Sequence, residues 1–204
     1  MEKVDHKKLM KEFYKPPRTP VFVDVPPLQF LMIDGQGYPG TSVEYQQAME
    51  ALYPMAYTLK FSLKKAGIID FTVMPLEGLW WAEDMEVFSI ESRKEEWLWT
   101  SMIMVPPEVT NDHYTKAVEV VQKKKNPVAL PKMRFETYHE GLSVQVMHFG
   151  PFSEEGPVIE AMHQFAFNEG YELRGKHHEI YLSDPRRTTP EKLRTVIRQP
   201  ITQV

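Results

Sequence analysis

From Leu28 to Ile33 the chain is apolar except for Gln29, and Asp34-Gly35-Gln36-Gly37 follows with turn chemistry, which predicts a buried strand ending in a tight turn. Ala48, Leu52, Met55, Ala56, Leu59 and Leu63 then recur at spacings of three and four, the period of a helix with one buried face. Ser42 is placed to cap that helix and Gly67 to end it, while Pro54 inside it predicts a kink or a local break. Residues 69–81 and 96–105 read as two further strands, and the acidic stretch between them as an exposed loop. Asn111 or Asp112 is expected to cap a second amphipathic helix running to about Lys124, after which Pro127 and Pro131 mark a connector. Ahead of all this, five prolines between Pro16 and Pro27 forbid a continuous helix or a central strand. A short polar helix over residues 5–13 and an extended arm to residue 27 are expected there.

The same order of elements returns in the second half. A strand over 142–149 leads to Gly150-Pro151-Phe152, then to a helix capped by Ser153 that runs through Glu169 to Gly170, then to strands at 177–183 and 193–198. Gly37 aligns with Gly150, Ala48 with Ala161 and Met49 with Met162 at one constant offset, which reads as an internal duplication. The expected fold class is α+β: two fused strand–helix–strand–strand repeats with antiparallel sheets forming a cleft between them. The expected division is a helix and arm over 1–27, a first repeat over 28–107, a helical insert and connector over 108–141, and a second repeat over 142–204. One helix covers one face of each sheet, and the uncovered faces are expected to line the cleft.

Along His177-His178-Glu179-Ile180-Tyr181-Leu182-Ser183 the side chains alternate, so Ile180 and Leu182 are expected under the helix and Glu179 with Tyr181 on the opposite face. Facing the cleft, Glu179 would be desolvated and suited to acid–base work; facing water, it would be an ordinary surface carboxylate. Trp97 and Trp99 share one strand face, where they either fill core or offer two indoles to a planar or cationic ligand, with Trp81 and Tyr138 extending the cage.

The absence of cysteine excludes disulfides, thiolate metal sites and a thiol nucleophile. A net charge of −4 gives little reason to approach phosphate backbones, and Lys123-Lys124-Lys125 reads as a solvated helix end. The first residues are charged without an apolar core, and no stretch reaches the roughly 18 apolar residues of a membrane span, so a cytoplasmic location is expected. His177 and Glu179 share a strand face, but no third ligand stands at a recognisable spacing, and no metal or other cofactor is expected. Ser143, His148 and Asp184 lack a nucleophile-elbow motif, and Gly35-x-Gly37 lacks the rest of a nucleotide loop.

The run from His177 to Thr188, with Glu191-Lys192-Leu193 and Thr195-Val196-Ile197-Arg198, resembles the GyrI-like family of small-molecule-binding domains. Leu76-Glu77-Gly78-Leu79-Trp80-Trp81, Trp97-x-Trp99 and Val146-x-His148-x-Gly150-Pro151-Phe152 extend the resemblance over nearly all of the chain beyond the arm. It implies the two-repeat topology, a ligand cleft and a ligand-facing glutamate at Glu179. Similarity to stand-alone members implies hydrolysis of the cyclopropane ring of cyclopropanoid DNA-alkylating compounds within an aromatic cage. On that reading Glu179 is the general base toward water, Tyr181 donates a hydrogen bond to the conjugated carbonyl, and Trp81, Trp97, Trp99 and Tyr138 hold the ligand. The alternative is a non-catalytic drug-binding or sensing protein in which Glu179 is a counter-charge. The helix-turn-helix domain of sensor relatives is not found in the chain, so the expected partner is a small aromatic molecule rather than nucleic acid.

Overall fold

A computed structural model of the protein describes residues 2–83 and 91–204. In chain order the elements begin with β1 (Lys3–Val4), α1 (His6–Leu9), α2 (Lys11–Tyr14), β2 (Val21–Val25), β3 (Leu28–Gln36), α3 (Val43–Lys65), β4 (Asp70–Phe71), β5 (Leu76–Trp81) and β6 (Leu98–Val105). They continue with α4 (Asn111–Lys124), β7 (Arg134–Tyr138), β8 (Gly141–Phe149), α5 (Gly156–Asn168), β9 (Tyr171–Leu173), β10 (His177–Tyr181) and β11 (Arg194–Gln203). The chain divides into two compact units, one comprising Met1–His6, Leu28–Met74 and Gly78–Tyr138, the other Lys7–Pro27, Pro75–Glu77 and His139–Val204.

In the first unit β3 pairs antiparallel with β6 on one side and β7 on the other, and β1 pairs parallel with β4. Ser42 caps α3 as expected, its side chain accepting from the Tyr45 amide, and Gly67, at φ +71, takes the left-handed position just past the helix end. The expected break at Pro54 does not occur: α3 runs unbroken from Val43 to Lys65. The carbonyl that Pro54 cannot serve is that of Glu50, an exposed residue, where water can take up the missing bond. Thr110, not Asn111 or Asp112, caps α4 in a capping box with His113. The connector holds a strand, β7, and of the acidic stretch residues 84–90 lie outside the described residues, while Glu91–Glu96 forms a 3-10 turn.

Gly35 of β3 stands opposite Trp99 of β6, and the indole lies over it so closely that a Cβ on Gly35 would sit 2.3 Å from the ring. A Gly35→Ala variant is therefore expected to lose about 1–3 kcal/mol of stability, read as a lower urea midpoint, because the fully buried indole has nowhere to retreat.

In the second unit the strands run β2, β8, β11, β10, all antiparallel, with β9 added to the far end of β11. The arm is thus partly a strand, and β2 takes the edge position that its flanking prolines permit. Val144 and Val146 of β8, Ile197 and Ile201 of β11, and Met162 and Ala166 of α5 form the core, with Phe22 of β2 against Phe165 and Tyr171. Gly37 and Gly150 both adopt positive φ, as the repeat predicts. The helices are one residue out of step with the glycines, since Ala48 and Met162 are buried while Ala161 is exposed. Ser153 does not cap α5; Phe152–Glu154 forms a 3-10 turn and Glu155 occupies the N-cap position.

Candidate active site

Residues directly opposite one another in an antiparallel pair share a face of the sheet. Glu179 stands opposite Ile197, which packs against α5, and Tyr181 stands opposite Thr195. Glu179 and Tyr181 therefore lie on the α5 side, and the expectation that Ile180 packs under the helix is reversed. The other face of β10 carries Ile180 and His178, and α2 and its neighbours cover that face.

Both oxygens of Glu179 are engaged from its own strand. Tyr181 donates its hydroxyl to Oε2 at 2.8 Å, and His177 Nε2 lies 3.1 Å from Oε1. Residues at i−2 and i+2 reach the same carboxylate because the period of a strand is two. The Tyr181 hydroxyl thus holds Glu179, a contact that the sequence reading, which gave it a ligand carbonyl, did not foresee. The Glu179 side chain is 15% exposed. Phe152, 43% exposed, meets the Tyr181 ring edge-on at 5.6 Å.

A second carboxyl belongs to this site and was not foreseen. Glu155 enters α5 with helical backbone angles (φ −73, ψ −28), so its side chain is not used as a cap and the residue is buried. Burial, and then the charge of Glu179, push its pKa up to about 9; the Thr195 hydroxyl works in the opposite sense. Two turns along α5, His163 is pushed down to about 4 by burial and by His177. The site thus places a neutral carboxylic acid and a neutral imidazole near a hydrogen-bonded carboxylate. In sequence Glu155 looks like one more acidic residue at a helix start, and only the covered N-cap distinguishes it.

On the reverse face His178, Arg198 and Gln145 form a row across three strands. Arg198 donates to Glu140 at 2.9 Å, to Gln145 at 3.1 Å and to the Phe13 carbonyl at 2.6 Å, and Gln145 donates to the Glu12 carbonyl. These are end carbonyls of α2 that the helix itself cannot satisfy. His178 bridges Glu140 and Glu77, each at 2.9 Å, and Tyr14 donates to Glu77. Burial alone would lower the pKa of His178, but Glu140 and Glu77 outweigh it and raise it to about 9; burial would raise Glu140, but His178 and Arg198 bring it down to about 2. Two anions and two cations are thereby balanced behind the strand that carries Glu179. Their signal in the sequence is a charge inside an apolar strand, Glu77 between Leu76 and Gly78-Leu79 and Arg198 after Val196-Ile197.

The expected aromatic residues lie in the first unit. Trp99 is 0% exposed, donates its indole N–H to the Gly37 carbonyl at 3.1 Å and meets Tyr45 of α3 edge-on. It faces the helix and is core, which corrects its assignment to a ligand cage. Trp97, partly exposed, precedes β6 and sits edge-on to Tyr38 and Trp80. Trp81 and Tyr138 are also partly exposed, Tyr138 against Phe30. Among the described residues no group of three or more His, Asp or Glu could hold a metal ion, and no helix is long and apolar enough to cross a membrane.

A mixed fold with two neighbouring carboxyl groups under a helix and partly exposed aromatic rings suits a small-molecule-binding domain. The GyrI-like small-molecule-binding domain matches residues 18–202, and the chain belongs to that family. Solved structures agree. A conserved protein from Listeria innocua is 43% identical, with 98% of this chain and 100% of that one covered and a TM-score of 0.91. Two structures from the same organism described as hydrolases are each 42% identical over the same shares, with TM-scores of 0.85 and 0.89. No protein of curated function matches the chain.

Proposed function

We propose that the protein binds flat, electrophilic aromatic compounds and hydrolyses them, with the cyclopropane ring of cyclopropanoid DNA-alkylating compounds as substrate and detoxification as the outcome. The observation that carries this reading is a carboxyl group held neutral by burial, Glu155, beside Glu179, whose two oxygens are hydrogen-bonded by Tyr181 and His177. Environments that separate two such groups divide the roles of acid and base. The similarity to two hydrolases supports an enzyme over a passive binder.

Glu179, steadied by Tyr181 and His177, takes a proton from a water whose oxygen bonds to a ring carbon. The strained carbon–carbon bond breaks, and its electron pair runs through the conjugated system to the carbonyl oxygen. Glu155 gives that oxygen its proton and leaves a phenol. Once Glu179 is neutral, the like charge that held the proton on Glu155 is gone, so the acid strengthens when it is needed. Return of the proton from Glu179 to Glu155 resets the site, and the balance is one water added across one bond. Trp81, Trp97 and Tyr138 are the proposed aromatic contacts of the first unit.

The test is incubation with a large excess of a cyclopropanoid compound. Ring-opened product is expected far beyond one equivalent, with kcat/KM falling as pH rises through about 9, where Glu155 loses its proton. Conversion that stops at one equivalent, or none with tight binding, would make the protein a sequestrant.

A further inference from the structure

The long helix α3 is apolar on two sides. Ala48, Leu52, Met55, Leu59 and Leu63 face β3 and β6 and are buried. On the opposite side Val43, Pro54, Tyr57 and Phe61 form a second row, and Ile68 continues it just past the helix end. Val43, Tyr57, Phe61 and Ile68 are 44% to 63% exposed, and the rings of Tyr57 and Phe61 stack on each other. A helix that is apolar outside as well as inside is ordinarily covered on both sides.

Shape and charge decide what covers this one. The row is convex, whereas small molecules bind in concavities. Helices that lie on membranes carry a basic polar face, whereas the charges here are of both signs and stand apart. Glu50 lies toward the N-terminal end of the row and Lys65 at its C-terminal end, ~22 Å away along the axis. Lys60 and Lys64 are engaged with Asp70, but among the described residues neither the Glu50 nor the Lys65 side chain is in an ion pair or a hydrogen bond. Pro54 also lacks the N–H that would serve the Glu50 carbonyl.

This pattern is complementary to itself. If a second copy is turned about a two-fold axis midway between Glu50 and Lys65, each Glu50 stands opposite the other copy's Lys65 and each Pro54 opposite the other copy's Phe61, with Tyr57 at the axis. One register thus pairs both charges and covers both rings. We infer that the protein forms a two-fold dimer in which α3 packs antiparallel on α3 of a second copy through this face. One helix face falls short of the roughly 1,200 Å² at which standard interfaces begin, so the dimer is expected to be reversible, with a dissociation constant in the micromolar range.

Sedimentation velocity from low to high micromolar concentration tests this. The 23.9 kDa chain is expected to pass from monomer to dimer. Phe61→Lys, at an exposed position where circular dichroism should show an unaltered fold, should remain monomeric throughout. Glu50→Lys and Lys65→Glu each place like charges at both contacts and should each weaken association about tenfold. An equimolar mixture of those two variants should regain the wild-type association, because each contact again joins a carboxylate to an ammonium. A chain that stays monomeric at every concentration, whether or not lipid vesicles take up the face, would overturn the inference. So would a dimer that persists in Phe61→Lys, or charge variants whose mixture associates no better than either alone. The outcome is independent of the function proposed above, since α3 belongs to the first unit and Glu179 to the second.

Discussion

Replacing Glu179 with glutamine is expected to lower ring opening about 10²- to 10⁴-fold while leaving ligand affinity within a few fold. The substitution keeps the shape of the side chain, and Tyr181 can still donate to its one remaining oxygen, so strand and ligand surfaces stay in place. What is lost is the acceptor for the water proton. A second effect distinguishes this account from simple disruption. The charge of Glu179 is one of the causes holding the pKa of Glu155 up, so its removal should lower that pKa. The basic limb of the residual activity should therefore move below the wild-type position near pH 9. Single-turnover rates against pH, with ligand affinity measured in parallel, read both effects. An unmodified rate in Glu179→Gln would dispose of the general-base role; a lowered rate with an unmoved limb would separate Glu155 from it.

The sequence carried the two-repeat architecture clearly, because apolar spacing in α3 and the glycines at 37 and 150 are local signals. It carried Glu179 and Tyr181 as a pair for the same reason: alternation along five residues puts them on one face without reference to anything else. Which face that was depended on Ile197, eighteen residues later, and on α5, and alternation has no means of telling the two faces apart. Trp99 failed as a ligand residue for a related reason, since the gap that receives its indole is made by a glycine on the neighbouring strand. Glu155 was hidden because its pKa comes from burial and from Glu179, neither of which a helix-start motif encodes. β2, β7 and β9 are short, and each strand derives its pairing from a partner distant in sequence.

Arg198→Met is expected to destabilise the second unit by about 3–5 kcal/mol, the typical cost of removing one partner from a buried ionic group. The loss would leave Glu140 and Glu77 facing only His178, and the Phe13 carbonyl without its donor. Tyr14→Phe, which deletes one hydrogen bond to Glu77, should cost less, about 1.5–3 kcal/mol. The pH dependence identifies the cause. His178 has a folded pKa near 9, above its usual 6.5, so its contribution is complete below about pH 6.5 and disappears as pH rises through 9. Glu140 has a folded pKa near 2, below its usual 4.5, so its contribution is complete above about pH 4.5 and disappears as pH falls through 2. His178 keeps both carboxylate partners in the variant, so the difference in urea unfolding free energy between wild type and Arg198→Met follows Glu140: it should be complete above about pH 4.5 and shrink as pH falls toward 2. Without Arg198, Glu140 keeps one cationic neighbour in place of two and protonates at higher pH, so the acid limb of the variant should begin earlier. A difference that is constant across the whole pH range would mean that Arg198 acts through packing of its carbon chain alone, and the ionic row would then contribute nothing to holding β10 in place.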